Sequence, residues 1–148
     1  MIGTKAPDFS LDSSEGNKFT SEEMAGNWYV LLFYAKDGSP TCKRGCLSFK
    51  EQYNLFKSLD PPVEIVGISQ DTAEDHKKFK EEHQLSFDLL SDTSGKVCKQ
   101  YDALMPIVKV PKRITYLIDA EQRVRAVYSD MFGATKHIKS MINQLKTE

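Results

Sequence analysis

The chain has little of several things, and each shortage excludes a class of function. Its longest apolar run, Trp28 to Ala35, falls far short of the ~20 residues that a membrane-crossing helix needs. No charge of one sign prevails. The 20 Lys and Arg face 21 Asp and Glu, a net charge of −1, which argues against a dedicated nucleic-acid surface. The histidines, His76, His83 and His137, are scattered, and no spacing suited to zinc appears. No metal, cofactor, nucleic acid or membrane is therefore expected as a partner. Repeats and low-complexity tracts are absent. Cysteine is scarce, with three residues, and Met1-Ile2-Gly3-Thr4-Lys5 lacks the apolar stretch of a secretory leader. A reducing, cytoplasmic setting follows as the expectation, in which any disulfide is transient rather than structural.

What is present suits one soluble domain spanning 1–148, with 40% hydrophobic and 28% charged residues. Residues 8–20 read as short extended pieces around a turn at Glu15-Gly16-Asn17. Ser21 to Ala25 reads as one helical turn closed by Gly26. Residues 28–35 read as a buried strand. Residues 40–59 carry helical spacing through Cys42, Cys46, Phe49, Tyr53 and Phe56, and Pro61-Pro62 stops the helix. A second buried strand is expected at Val63 to Ile68. A charged helix over 72–84 follows, capped by Thr72 and with Phe79 facing inward. Leu89-Leu90 is a short extended piece and 94–101 a short helix. Ile114 to Ile118 and Val124 to Tyr128 form a hairpin around Asp119-Ala120-Glu121-Gln122. An amphipathic helix over 134–146 closes the chain. Strands alternating with helices predict an α/β domain with a mixed central sheet flanked by helices. Strand, helix, strand, helix, hairpin, helix is the order of the thioredoxin-like fold, here with an N-terminal β extension.

The first long strand leads into Ser39-Pro40-Thr41-Cys42-Lys43-Arg44-Gly45-Cys46. Ser39 followed by Pro40 is a good helix start, a hydroxyl cap and then proline at the first helical position. Cys42 then falls within the first turn, near unpaired backbone N–H groups and the positive end of the helix dipole. Lys43 and Arg44 add positive charge. Such a place favours thiolate over thiol. A free cysteine of pKa ~8.5 is about 3% thiolate at pH 7, whereas one of pKa ~6 is about 90%. The bland alternative is a small buried hydrophobe, the commoner fate of a lone cysteine. Two cysteines, a cap and basic neighbours after a buried strand point instead to a reactive thiol.

These residues, together with Gly3-Thr4-Lys5-Ala6-Pro7-Asp8-Phe9-Ser10-Leu11, Leu32-Phe33-Tyr34-Ala35-Lys36-Asp37, Val66-Gly67-Ile68-Ser69 and Val110-Pro111-Lys112-Arg113-Ile114-Thr115-Tyr116-Leu117-Ile118-Asp119, resemble the peroxiredoxins of the bacterioferritin-comigratory or Q type. The resemblance covers nearly the whole chain. It implies a thiol peroxidase that reduces hydrogen peroxide or organic hydroperoxides. Cys42 matches the attacking cysteine, Ser39 the hydroxyl that bonds the peroxide, and Arg113 the arginine that stabilises thiolate and leaving oxygen. Each has a plainer role open to it: Ser39 as helix cap only, Arg113 as partner of a surface carboxylate. The implied partners are a peroxide and thioredoxin or a similar dithiol, acting on a monomer or a weak dimer.

The chain also departs from the family pattern. Ala35 stands where the family has proline, and Gly45 where an acidic residue is usual. The second cysteine of many relatives lies five residues after the first, which is Leu47 here; Cys46 lies four after. Cβ atoms four apart on a helix are about 5–6 Å from each other. A disulfide wants about 3.8 Å. A Cys42–Cys46 bond therefore requires local unwinding, which Gly45 eases. Cys46 is open to two readings, resolving thiol or helix-packing residue, and Cys98 to two, core residue or resolver. Rival functions are a weakened peroxiredoxin, a thiol-disulfide oxidoreductase, and a Cu(I)-binding protein of the Sco type. The Sco relatives carry a histidine where this chain has Arg113.

Overall fold

The structure, a computed structural model, describes residues 2–36, 40–58, 62–103 and 114–128, with the side chains at 40, 41, 45, 48 and 52 left out of the description. The chain opens with β1 (Ser10–Ser13) and β2 (Lys18–Thr20), joined at Gly16, whose φ of 86° is one that glycine adopts without strain. A short 3-10 turn over Ser21–Met24 follows. Glu23 reaches back to the Thr20 backbone N–H at 2.7 Å, as in a capping box. Then come β3 (Trp28–Phe33), α1 (Pro40–Lys57), β4 (Val63–Ser69) and α2 (Ala73–His83). The chain continues through β5 (Asp88–Ser91), α3 (Lys96–Gln100), β6 (Ile114–Ile118) and β7 (Val124–Tyr128). These elements match those expected from the sequence to within a few residues. The helix expected over 134–146 lies outside the described residues.

The strands form one sheet in the order β2-β1-β5-β4-β3-β6-β7. β3 pairs in parallel with β4, and β4 with β5; the remaining pairs are antiparallel. This is the mixed sheet of a thioredoxin-like fold, widened by the β1–β2 hairpin on one side. The interior position of β3 fits its unbroken apolar sequence: both of its faces are covered. Val30, Leu32 and Tyr34 pack on one side with Phe49 and Phe56 of α1 and Phe79 of α2. Tyr29, Leu31 and Phe33 pack on the other with Phe9, Val97 of α3, Tyr101 and Tyr116.

Local chemistry sets the ends of α2. Thr72 Oγ1 accepts from the Asp75 N–H at 3.1 Å, and Gln84 terminates the helix in the left-handed region at φ 52°. Lys80 of α2 bonds Glu15 in the β1–β2 turn and, at 3.0 Å, Asp88 of β5. Burial lowers the affinity of that amine for its proton, but the hydrogen bonds it donates to Glu15 and Asp88, with their charge, outweigh it and hold the pKa above the ordinary lysine value. The hairpin is thereby tied to the body of the domain.

Candidate active site

α1 starts at Pro40, as the Ser39-Pro40 pair predicts, and runs without a break to Lys57. Cys42 is its third residue and Cys46 lies one turn on. Both are 0% exposed and neither forms a disulfide. They share the cluster of Val30, Leu32, Tyr34 and Phe49 between α1 and the sheet. Lys43 and Arg44 are exposed, and the first turn of α1 holds no acidic residue. The positive end of the helix dipole beside Cys42 is therefore not offset by a carboxylate in that turn. Ala35, at the position where the family pattern has proline, is half-buried and packs against the same cluster. Ser39 and Arg113 lie outside the described residues.

The register of the sheet brings several strand ends to one edge. Phe33 of β3 stands beside Ile68 of β4 in the parallel pairing and beside Ile114 of β6 in the antiparallel one. The chain thus leaves β3 at the same end of the sheet at which it enters β6. Tyr34 extends the pairing with β4, its N–H donating to the Ile68 carbonyl at 3.1 Å. Catalytic groups in open α/β sheets gather at this carboxyl edge of the parallel strands.

A second layer of residues at this edge was not singled out in the sequence. His76 of α2 is fully buried, and its ring meets Tyr34 edge to face with 6.3 Å between centroids. His76 Nε2 lies 3.0 Å from the Leu90 carbonyl. A carbonyl only accepts, so Nε2 carries a proton and donates to it. Ser69 Oγ, 3.3 Å from the same nitrogen, donates to Asp71 Oδ2 at 2.6 Å. With its proton on Nε2, His76 is no base for Ser69, which leaves the serine a structural link rather than a nucleophile. The signal for His76 was its spacing: three residues before Phe79, it shares the inward face of α2.

Cys98 sits apart from the other two thiols. It packs in the cluster on the opposite face of the sheet, with Val97, Tyr101 and Leu31. Its backbone N–H donates to Asp92 Oδ2 at 2.8 Å, and the Val97 N–H to Asp92 Oδ1 at 3.2 Å. Burial, then the hydrogen bond and charge of Asp92, push the Cys98 thiol far above its ordinary value. Such a sulfur stays protonated and inert, which supports its reading as a core residue. A cavity of about 320 Å³ between the β1–β2 turn and α2 is lined by Ser14, Glu15, Lys77, Lys80, Glu81, Gln84 and Leu85, and it holds none of the candidate residues.

A mixed sheet of this order, with a cysteine in the first turn of the helix after β3, is the framework of a thioredoxin-fold thiol protein. The chain belongs to the AhpC/TSA family, whose model matches residues 2–127. It is 33% identical over 146 residues to the chloroplastic peroxiredoxin Q of Oryza sativa subsp. japonica, covering 98% of this chain and 66% of that protein. It is 31% identical over 150 residues to a protein of Coxiella burnetii that carries the name "Putative peroxiredoxin bcp", covering 97% of each. The crystal structure of the peroxidoxin BcpB from Mycobacterium tuberculosis superposes with a TM-score of 0.89 at 27% identity, over 99% of this chain and 96% of that one. The resemblance drawn from the sequence is thereby established at the level of family and fold. No helix among the described residues is long and apolar enough to cross a membrane.

Proposed function

We propose that the protein is a thiol peroxidase in which Cys42 is the attacking nucleophile and Cys46 the resolving thiol. The observation that carries this reading is the placement of Cys42 in the first turn of α1, with Cys46 one turn further in the same cluster. In the first step the Cys42 thiolate attacks one peroxide oxygen. An S–O bond forms, the O–O bond breaks, and the leaving oxygen takes a proton to become water or an alcohol. Cys42 is then a sulfenic acid. In the second step the Cys46 sulfur displaces that hydroxyl as water, and a Cys42–Cys46 disulfide forms. A dithiol reductant of the thioredoxin kind returns both thiols by exchange and leaves oxidised.

Ser39 is assigned the hydrogen bond to the bound peroxide, and Arg113 the stabilisation of thiolate and leaving oxygen. The pairing of Ile114 with Phe33 favours the assignment of Arg113, because Arg113 immediately precedes Ile114 in the chain. A disulfide between residues of one helix needs no second subunit, so the monomer is the working unit. A content of three cysteines suits a reducing compartment such as the cytoplasm. Peroxide consumption by Cys42→Ser, measured with excess dithiol, tests the reading. Activity is expected to fall to a few per cent or less, and retention of more overturns the assignment.

A further inference from the structure

We propose that Lys50 is a positioning residue: by binding the last carbonyl of α2, it marks where α1 stops unwinding when the Cys42–Cys46 disulfide forms. The inference rests on the peroxidase reading above and adds to it the boundary of the moving segment.

Lys50 lies one turn beyond Cys46, half-buried, with Nζ 2.8 Å from the His83 carbonyl. His83 is the last residue of α2, and the chain turns away at Gln84 in the left-handed conformation. Its carbonyl belongs to the last helical turn, whose C=O groups have no partner further along the helix and carry the negative end of the dipole. A lysine ammonium satisfies both needs. His83 is itself held, its ring 4.7 Å from that of Phe79, which packs in the same cluster as Cys42. The anchor is therefore fixed to the core rather than to a loose end.

Two further ties follow along α1. Tyr53 OH donates to Glu64 Oε1 at 3.2 Å, and Lys57 Nζ to Glu64 Oε2 at 2.7 Å, joining α1 to β4. Residues 50, 53 and 57 are spaced by three and four, so they form one stripe along the helix. Lys50 is the first of these ties, and Cys42, Cys46 and Phe49 all precede it. A disulfide between residues four apart requires the helix around them to open, since their Cβ atoms stand about 5–6 Å apart in the helix and about 3.8 Å apart in the bond. Opening from the N-terminal end frees residues up to Phe49 without breaking any of the three ties. The remaining helix stays docked as a template on which the freed turns rewind after reduction. Without the Lys50 bond, opening reaches the next tie at Tyr53, and the freed segment grows by about one turn.

Amide hydrogen exchange on the full chain tests this, with wild type, Lys50→Met and Lys50→Arg each reduced and each oxidised with one equivalent of hydrogen peroxide. In wild type, oxidation is expected to raise exchange over 44–53, because the amides of 50–53 lose the carbonyls of 46–49 as acceptors, and to leave 54–57 as protected as in the reduced protein. In Lys50→Met the raised exchange extends to residue 56, and recovery of peroxide reactivity after addition of dithiothreitol slows several-fold. Lys50→Arg, which keeps a cationic donor, restores both. A purely structural role predicts a general loss of protection in the reduced protein instead, with no shift of the boundary on oxidation. Oxidised wild type that exchanges freely through residue 57 overturns the proposal even if Lys50→Met fails to fold. So does an unmoved boundary in Lys50→Met. Peptide mapping separates the two levels of inference. If the oxidised wild type carries no Cys42–Cys46 bridge, the resolving step itself fails and this proposal with it; a bridge with the boundary elsewhere removes only Lys50.

Discussion

Tyr34 lies directly over Gly67. A methyl group at Gly67 would come 3.3 Å from Tyr34 Cε1 and 2.8 Å from Leu89 Cδ2. Neither neighbour has room to yield, because Tyr34 and Leu89 are both fully buried. Gly67→Ala therefore overpacks the sheet beneath the residue that leads from β3 toward α1. Overpacking of this kind costs about 1–3 kcal/mol. Chemical denaturation should place the variant's stability lower by that amount. Because Tyr34 and Cys42 share one cluster, the same variant should also react more slowly with peroxide. Unchanged stability would mean that Leu89 and Tyr34 move aside freely.

The buried imidazole of His76 supports the same edge from the other side. Replacing it with leucine keeps an apolar side chain against Tyr34 but removes the donor to the Leu90 carbonyl. A buried acceptor left unpaired costs about 1–3 kcal/mol. Urea denaturation of His76→Leu is expected to show a loss in that range, and His76→Gln, which keeps a donor, a smaller one. Equal losses in the two variants would assign the effect to ring packing rather than to the hydrogen bond.

Most of this framework could be read from the sequence because local rules and tertiary packing agree. The Ser39-Pro40 pair announces the start of α1, Thr72 caps α2, and the unbroken apolar run at Trp28 foretells a strand covered on both faces. Cys42 and Cys46 stand out for the same reason, since the helix start and the thiol spacing are local. The support around them was harder to read. Nothing near His76 in the chain says that its ring will meet Tyr34, because that contact depends on α2 packing over β4 and β5. The isolation of Cys98 from Cys42 has the same origin. Whether two thiols share a face of the sheet depends on the order of the strands, and that is set by contacts between distant parts of the chain.

Cys98 should leave a mark on the dependence of stability on pH. Its thiol is pushed up by burial and by Asp92 in the folded protein, against an ordinary value of ~8.5. Below that value both states keep the proton and stability is unaffected. Above it the unfolded chain gives up its proton while the folded one holds on, so stability falls as pH rises. The slope for one group is at most about 1.4 kcal/mol per pH unit. Tyr29, Tyr101 and Tyr116, also pushed up chiefly by burial, add to the fall only above their ordinary value of 10.0. Between pH 9 and 10, urea midpoints of Cys98→Ala should therefore decline less steeply than those of wild type. Parallel declines would show that Cys98 titrates at the same pH whether folded or unfolded.

Arg113 is expected to act on the first chemical step. A cation at the reacting sulfur stabilises both the thiolate and the charge that develops on the leaving oxygen. Losing one such donor typically costs a factor of about 10²–10³ in rate. Arg113→Met should slow peroxide attack by that factor in stopped-flow measurements. A variant with the wild-type second-order rate would make Arg113 a structural residue only.

Gly45 is expected to separate attack from resolution. It precedes Cys46 in the middle of a continuous helix, where glycine costs about 1 kcal/mol relative to alanine. That cost is borne by the helical state alone and vanishes once the turn opens. Gly45→Ala therefore stabilises the closed helix and makes opening less favourable by roughly fivefold, the ratio that about 1 kcal/mol corresponds to. Attack on peroxide uses the closed helix, with Cys42 in its first turn, and should keep its rate. Disulfide formation needs the open segment and should slow by about the same factor if opening precedes bond formation. The sulfenic acid then lives longer, so the variant should be overoxidised to sulfinic acid at lower peroxide concentration than wild type. Rapid-quench mass spectrometry follows both species in one experiment. Slower disulfide formation together with greater overoxidation is the expected pair of results. If disulfide formation is as fast in Gly45→Ala as in wild type, opening of α1 does not limit the resolving step.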